Sequence, residues 1–261
     1  METNKQLIRR RFGRGFARYD RLAVVQQALC DELAGMIASH IAGPPSRALE
    51  IGTGTGFLTR RLIARYPDTE WFLNDIADES EAFLAPYTEG RRTTFLAGDA
   101  ERLALPRRLD LVASASTVQW FDDLEAFAAQ AIHALAPGGL LALSTFGPEN
   151  FAEIRALTGE SLEYLTPGEL RGMLGAQGYT IAEAREHTTR LAFDTPGDVL
   201  RHIKATGVNS LRPVRWGVGR FTRFEREYRE RFADAAGRVS LTYHPILVIA
   251  RKPGAEGRPH V

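Results

Sequence analysis

The chain carries one cysteine, Cys30, among 261 residues. No intrachain disulfide and no cysteine-rich metal site can form, which points to a reducing compartment. No metal site is expected. Missing too is any apolar run near the roughly 18–20 residues needed to span a bilayer. Met1 to Arg11 is polar and basic and lacks the apolar stretch of a secretory signal. A cytoplasmic location without membrane attachment is the expectation. Nor is there an excess of one charge: 33 Lys and Arg meet 32 Asp and Glu, a formal net +1. That balance argues against a dedicated nucleic-acid binder and no DNA partner is expected, although local patches can hide within it. Internal repeats and long low-complexity segments are absent.

What is present is an apolar content of 44%, enough to bury a core. The length suits one large domain, or a domain with an inserted lid. The oligomeric state is left open, and a monomer is compatible with the sequence. Residues 1–21 hold seven Lys and Arg against Glu2 and Asp20. Helical spacing follows in Leu22, Val25, Leu29, Leu33, Met36 and Ile37, ended by Gly43-Pro44-Pro45.

Strands and helices then alternate. Short strands are predicted at 47–51, 70–73, 93–96, 109–114 and 140–145, the last entered through the turn Pro137-Gly138-Gly139. Helices are predicted at 58–66, 79–85 and 124–135. This rhythm predicts an α/β, doubly wound (Rossmann-like) fold, a parallel sheet with helices on both faces. Beyond Phe146 the rhythm loosens. Helices are expected at 151–157, 169–174, 199–205 and 221–232, a strand at 179–183, and one late strand from Leu241 to Ala250. The division reads as an N-terminal helical cap over 1–45, a cofactor-binding core over 46–147, and a substrate and lid region over 148–238. A final strand over 239–252 completes the sheet, and 253–261 is a tail.

The sharpest motif is Leu49-Glu50-Ile51-Gly52-Thr53-Gly54-Thr55-Gly56, a buried strand running into glycines spaced G-x-G-x-G and then a helix. Glycine permits positive φ and close approach of a ligand to the backbone. A dinucleotide-binding loop would place its third glycine at position 57, where this chain has Phe57. The loop therefore suits a nucleoside without a pyrophosphate. Asp75 follows the second strand about 20 residues later, where a carboxylate can accept both ribose hydroxyls. Asp99 follows the third strand and could accept from an exocyclic adenine amine. A glycine-rich turn with two solvated acids is the plain alternative. Leu135-Ala136-Pro137-Gly138-Gly139 downstream adds to the pattern.

Together these residues resemble the class I S-adenosylmethionine methyltransferases over Leu49 to Phe146. That resemblance implies S-adenosyl-L-methionine as cofactor and a seven-stranded sheet whose last hairpin has an antiparallel strand, with the N-terminal helical segment and a helical lid insertion around it. It implies that Glu50 bonds near the methionine end and that Gly52 and Gly54 pack on the cofactor. Thr53, Gly56, Ile76, Ala100 and Ser114 are placed in the same site.

Peripheral segments are more particular. They are Arg11-Phe12-Gly13-Arg14 with Tyr19-Asp20, Ser116-Thr117-Val118-Gln119-Trp120, Ser144-Thr145-Phe146-Gly147, His202 to Asn209, and Leu241-Thr242-Tyr243-His244-Pro245. In combination, from about Phe12 to Lys252, they resemble the malonyl-acyl carrier protein O-methyltransferases of biotin synthesis. Thr53 departs from the cysteine common there, a small change in a turn that contacts ligand through its backbone. The resemblance implies methylation of the free carboxylate of a malonyl thioester on acyl carrier protein. Such a carboxylate is ionised at pH 7, with a pKa of roughly 3–4, so a general base is not needed. Tyr19, Arg201 and Lys204 are candidates to select or position it. Gln119 and Trp120 are candidates for the acyl pocket. For each, a packing or solvated role is the alternative, and for His202, Tyr243 and His244 the structural role is favoured. Cys30 reads as core.

From Arg201 to Arg231, nine Lys and Arg face three Glu, with Trp216 and Phe221 among them. An acidic carrier protein, an RNA or solvent alone could meet that segment. The remaining readings are a methyltransferase for another small carboxylic acid and a non-catalytic nucleoside- or RNA-binding module.

Overall fold

The computed structural model describes residue 5 and residues 20–206 and 217–254. Tyr19, the Arg11–Arg14 motif and residues 207–216, with Arg212, Arg215 and Trp216, lie outside the described residues, as does the tail from 255.

Strand β1 (Arg47–Ile51) is buried from Ala48 onward. It pairs in parallel with β2 (Glu70–Asp75) on one side and β4 (Leu109–Ala115) on the other. β3 (Thr93–Ala97) lies outside β2, and β5 (Leu135–Phe146) outside β4. β9 (Pro245–Arg251) runs antiparallel between β5 and β6 (Thr180–Glu186). The order β3-β2-β1-β4-β5-β9-β6 is the expected seven-stranded, doubly wound sheet with its antiparallel strand in the last hairpin.

Alternating side chains on these strands serve two cores. Ala48, Leu111, Leu140, Leu247 and Ile249 face α1 (Val24–His40) and α2 (Phe57–Arg65). Leu49, Val112, Leu141, Ile246 and Val248 face the opposite side, which holds α4 (Leu124–Ala134) and α6 (Pro167–Ala176). Strands covered on both faces read as near-continuous apolar runs, which is why they were legible. Between β2 and β3 lies α3 (Ser80–Thr88).

The late segment differs from expectation. Leu241–Ala250 is not one strand. β8 (Val239–Tyr243) pairs antiparallel with β7 (Thr189–Phe193) in a separate two-stranded sheet, and β9 starts at Pro245. His244 stands between them, its carbonyl taken by the N–H of Gly147 at 2.7 Å. Proline cannot donate to a ladder and is tolerated as a first strand residue, so Pro245 marks the change of sheet. Pro137–Gly139, read as a turn, is drawn into β5. The small sheet is joined by α5 (Ala152–Thr158), α7 (Pro196–Ala205) and α8 (Val218–Phe232). Phe224 and Tyr228 anchor α8, the Tyr228 hydroxyl donating to the carbonyl of Ser240 at 2.7 Å.

Candidate active site

The chain leaves β1 through residues that need the left-handed region: Gly52 at φ +71°, Gly54 at +52° and Gly56 at +85°. Their reasons differ. A Cβ on Gly52 would fall 2.1–2.7 Å from the Thr117 side chain. One on Gly54 would enter open space. Gly56 starts α2, and a Cβ there would press on Leu84 and Tyr87 of α3 at 3.0–3.1 Å. The loop is tied to the end of β2. The N–H groups of Gly52 and Thr53 donate to the carbonyl of Asn74 at 2.8 and 3.0 Å. The N–H of Gly54 donates to Asp75 Oδ2 at 2.7 Å, and that of Ala77 to Oδ1 at 2.8 Å. Asn74 in turn donates to the carbonyls of Leu96 and Gly98, fixing the end of β3.

At these carboxyl ends of the strands opens a cleft of about 960 Å³, partly continuous with solvent. This is where open α/β sheets hold ligands. Glu50, Gly52, Thr53, Gly54, Asp75, Ile76, Asp99, Ala100 and Trp120, all named from the sequence, line it. Two residues named for the cofactor do not. Gly56 faces α3, and Ser114 is buried behind the wall with its hydroxyl donating to the Ile51 carbonyl at 3.0 Å. Gln119 sits beside the cleft, its amide donating to the Ser116 carbonyl at 2.7 Å and its Oε1 accepting from Thr145 at 3.5 Å. Arg201 and Lys204 are exposed on α7, and Arg201 pairs with Asp198 of its own first turn.

Thr242 and His244 bond to residues that follow β5, and Tyr243 to His202 on α7. Glu153, buried on α5, accepts from the Thr242 N–H at 2.9 Å and hydroxyl at 2.7 Å. His244 accepts from the N–H of Glu149 at 3.2 Å.

The cleft is acidic and under-satisfied. Glu50 is 2% exposed. Burial pushes its pKa up to about 8, with the nearby Asp75 charge adding and hydrogen bonding to Thr59 opposing. Burial also raises Asp75, against the backbone amides of Ala77 and Gly54. Glu50 Oε2, Gln26 Oε1, Thr53 Oγ1, Thr55 Oγ1 and Ser116 Oγ are buried without hydrogen-bond partners. Buried polar atoms are almost always paired, so this concentration along one cleft marks a site shaped for a polar ligand rich in donors. At the Asp99 end, Lys5 bridges Asp99 at 2.7 Å, Glu101, and Asp122 at 3.4 Å.

Sequence reasoning missed Gln26 and Lys5, and it quoted Ser116 and Thr117 in the segment after β4 without giving either a role of its own. Gln26 left a signal, a polar side chain one turn before Cys30 on the buried face of α1. The left-handed φ of Ser116, +52°, shows only in the structure. Lys5 meets partners more than 90 residues away, which no local pattern reveals.

The methyltransferase domain family matches residues 48–139. Over 255 residues the chain is 39% identical to the malonyl-[acyl-carrier protein] O-methyltransferase of Chlorobium luteolum, covering 96% of each chain. It is 38% identical over 262 residues to the enzyme of that name from Prosthecochloris aestuarii, covering 98% of this chain and 97% of the other. Among solved structures, the 1,6-didemethyltoxoflavin-N1-methyltransferase of Burkholderia thailandensis, with its substrate and S-adenosylhomocysteine bound, superimposes with a TM-score of 0.58 at 16% identity. That match covers 95% of this chain and 88% of the other and bears on the fold alone. With its parallel sheet, its glycine loop and its full-length identity to those two bacterial enzymes, the chain belongs to the malonyl-[acyl-carrier protein] O-methyltransferase family.

Proposed function

We propose that this protein methylates the free carboxylate of a malonyl thioester carried on acyl carrier protein, with S-adenosyl-L-methionine as donor, giving the methyl ester that starts biotin synthesis. The observation that carries this reading is the full-length identity of 39% to an enzyme of that name, in a chain whose glycine loop is tied to Asp75 beside an acceptor-lined cleft.

The residues fit such a donor. Each Asp75 oxygen already accepts one backbone N–H, which orients the carboxylate and leaves lone pairs for ribose hydroxyls. Gly54 leaves open space where a Cβ would stand, so the backbone can be approached closely. Asp99 and Ala100 suit the adenine end, and Glu50 the amino-acid end. S-adenosyl-L-methionine bound there supplies a methyl group made electrophilic by the sulfonium.

The acceptor carboxylate, with a pKa of about 3–4, is already a nucleophile at pH 7. The chain has no proton to move and has to position. Holding the reacting atoms in line is worth on the order of 7–11 kcal/mol. Trp120, with Gln119 held by Ser116 and Thr145, stands at the end of β4 where the acyl group would lie. Tyr19 is assigned as a positioning hydroxyl near the methyl group. Arg201 and Lys204 on α7 and Arg223 and Arg226 on α8 are exposed and cationic. An acidic carrier protein is the partner their charge suits, speeding and orienting encounter.

The test is methyl transfer to malonyl-carrier protein, malonyl-coenzyme A and free malonate. The carrier-protein thioester is expected to give the highest kcat/KM. An enzyme that binds S-adenosylhomocysteine yet forms no methyl ester from it would overturn the proposal.

A further inference from the structure

Gln26 is 3% exposed on α1 and lines the cleft. Its two polar ends are in different situations. Its side chain lies beside the Tyr243 hydroxyl, as does that of Thr206. That hydroxyl lies 2.8 Å from His202 Nε2. Burial disfavours the charged form of His202, and a neutral ring can accept the phenolic proton at Nε2. The Tyr243 oxygen can then accept from the Gln26 amide beside it. The Gln26 carbonyl oxygen is then the orphan: it is buried and meets no donor.

A second orphan acceptor lines the same cleft, Oε2 of Glu50. Cys30, one turn beyond Gln26 on α1, lines the cleft with both of them. The Gln26 carbonyl can be satisfied only by an N–H or O–H donor, and a carboxylate or phosphate would meet it acceptor against acceptor. An ammonium brings three donors to it, and its positive charge favours the ionised form of Glu50, which can then pair with it.

We propose that Gln26 is a positioning residue for the ammonium of the cofactor's amino-acid end, held in place from the lid by Tyr243 and His202. The inference rests on the cofactor reading given above and adds to it a residue from outside the glycine loop. It makes one side chain serve two places. The carbonyl faces the donor pocket and the amide braces β8 and α7, which cover the acceptor side.

The test is calorimetric titration of the full chain with S-adenosylhomocysteine and with 5′-methylthioadenosine, which lacks the amino-acid end. Gln26→Met keeps the volume and removes both polar ends. It is expected to weaken S-adenosylhomocysteine on the order of tenfold and to leave methylthioadenosine within about twofold. Tyr243→Phe, a smaller change, is expected to weaken S-adenosylhomocysteine by about threefold, again sparing methylthioadenosine. Unchanged S-adenosylhomocysteine affinity in Gln26→Met, or an equal loss of both ligands in both variants, overturns the assignment. Wild-type protein that binds neither ligand removes it together with the cofactor reading.

Discussion

The N–H of Gly54 donates a 2.7 Å hydrogen bond to the carboxylate of Asp75, joining the loop after β1 to the end of β2. The other oxygen of that carboxylate holds the N–H of Ala77 at 2.8 Å. One buried acid thus shapes two turns and faces the cleft between them. Asp75→Ala is expected to lower stability by about 1–3 kcal/mol in urea denaturation, from two amides left unpaired. Calorimetry should show S-adenosylhomocysteine weakened by at least about tenfold. Wild-type affinity would place the ribose elsewhere.

Gly52 and Gly54 separate strain from crowding. Gly52→Ala meets both the left-handed φ and the Thr117 side chain at 2.1–2.7 Å, so a loss of about 2–5 kcal/mol is expected. Gly54→Ala meets only the backbone penalty of about 1–2 kcal/mol and should fold, while its methyl group enters the cleft and impairs ligand binding. Thermal melts with and without S-adenosylhomocysteine distinguish the two patterns.

Glu50 sets a pH dependence. Folded, it keeps its proton up to about pH 8, while unfolded it releases it near 4.5. Across that window the folded state binds more protons, so the contribution of Glu50 to stability falls as pH rises. Glu50→Gln removes the dependence. Without ligand it is expected to raise the melting temperature at pH 8 relative to wild type by at least roughly 2–4 °C, the equivalent of about 1 kcal/mol, with a smaller difference at pH 5. The same substitution should weaken S-adenosylhomocysteine. A constant difference between pH 5 and 8 would count against the assignment.

Charge reversal on α8 tests the partner surface. Arg223→Glu with Arg226→Glu is expected to raise KM for malonyl-carrier protein by roughly 3–10-fold with little change in kcat, and added salt should shrink the gap. An unaltered KM would move the docking surface elsewhere.

Tyr19→Phe is expected to lower turnover by about tenfold or more while S-adenosylhomocysteine affinity stays within about twofold, because a positioning hydroxyl acts on the reacting groups. Wild-type kcat would reduce Tyr19 to packing.

The core of the site was legible in the chain because its signals are local. A buried strand, glycines at positions needing positive φ, and acids at strand ends are all short-range features. Gly56 and Ser114 adjoin lining residues, but a Cβ on Gly56 would press on α3 and the Ser114 hydroxyl donates to the Ile51 carbonyl, which only the structure shows. The remainder depends on distant partners. Thr117 occupies the space Gly52 leaves, Gln26 meets Tyr243, and Lys5 meets Asp99. Pro245 was a local sign of the break at His244, but what fixes the break is distant: Gly147, and Asn150, whose Oδ1 accepts from the His244 N–H at 3.3 Å.

One residue, His244, separates the strand of the small sheet from β9, which is buried from Pro245 to Ala250 between β5 and β6. The small sheet is therefore spliced into the main sheet and is no detachable cassette. Grafting a foreign β7–β8 unit would re-thread a central strand of the molecule. Point changes on α7 and α8 leave that thread intact, and exchange of the whole unit does not.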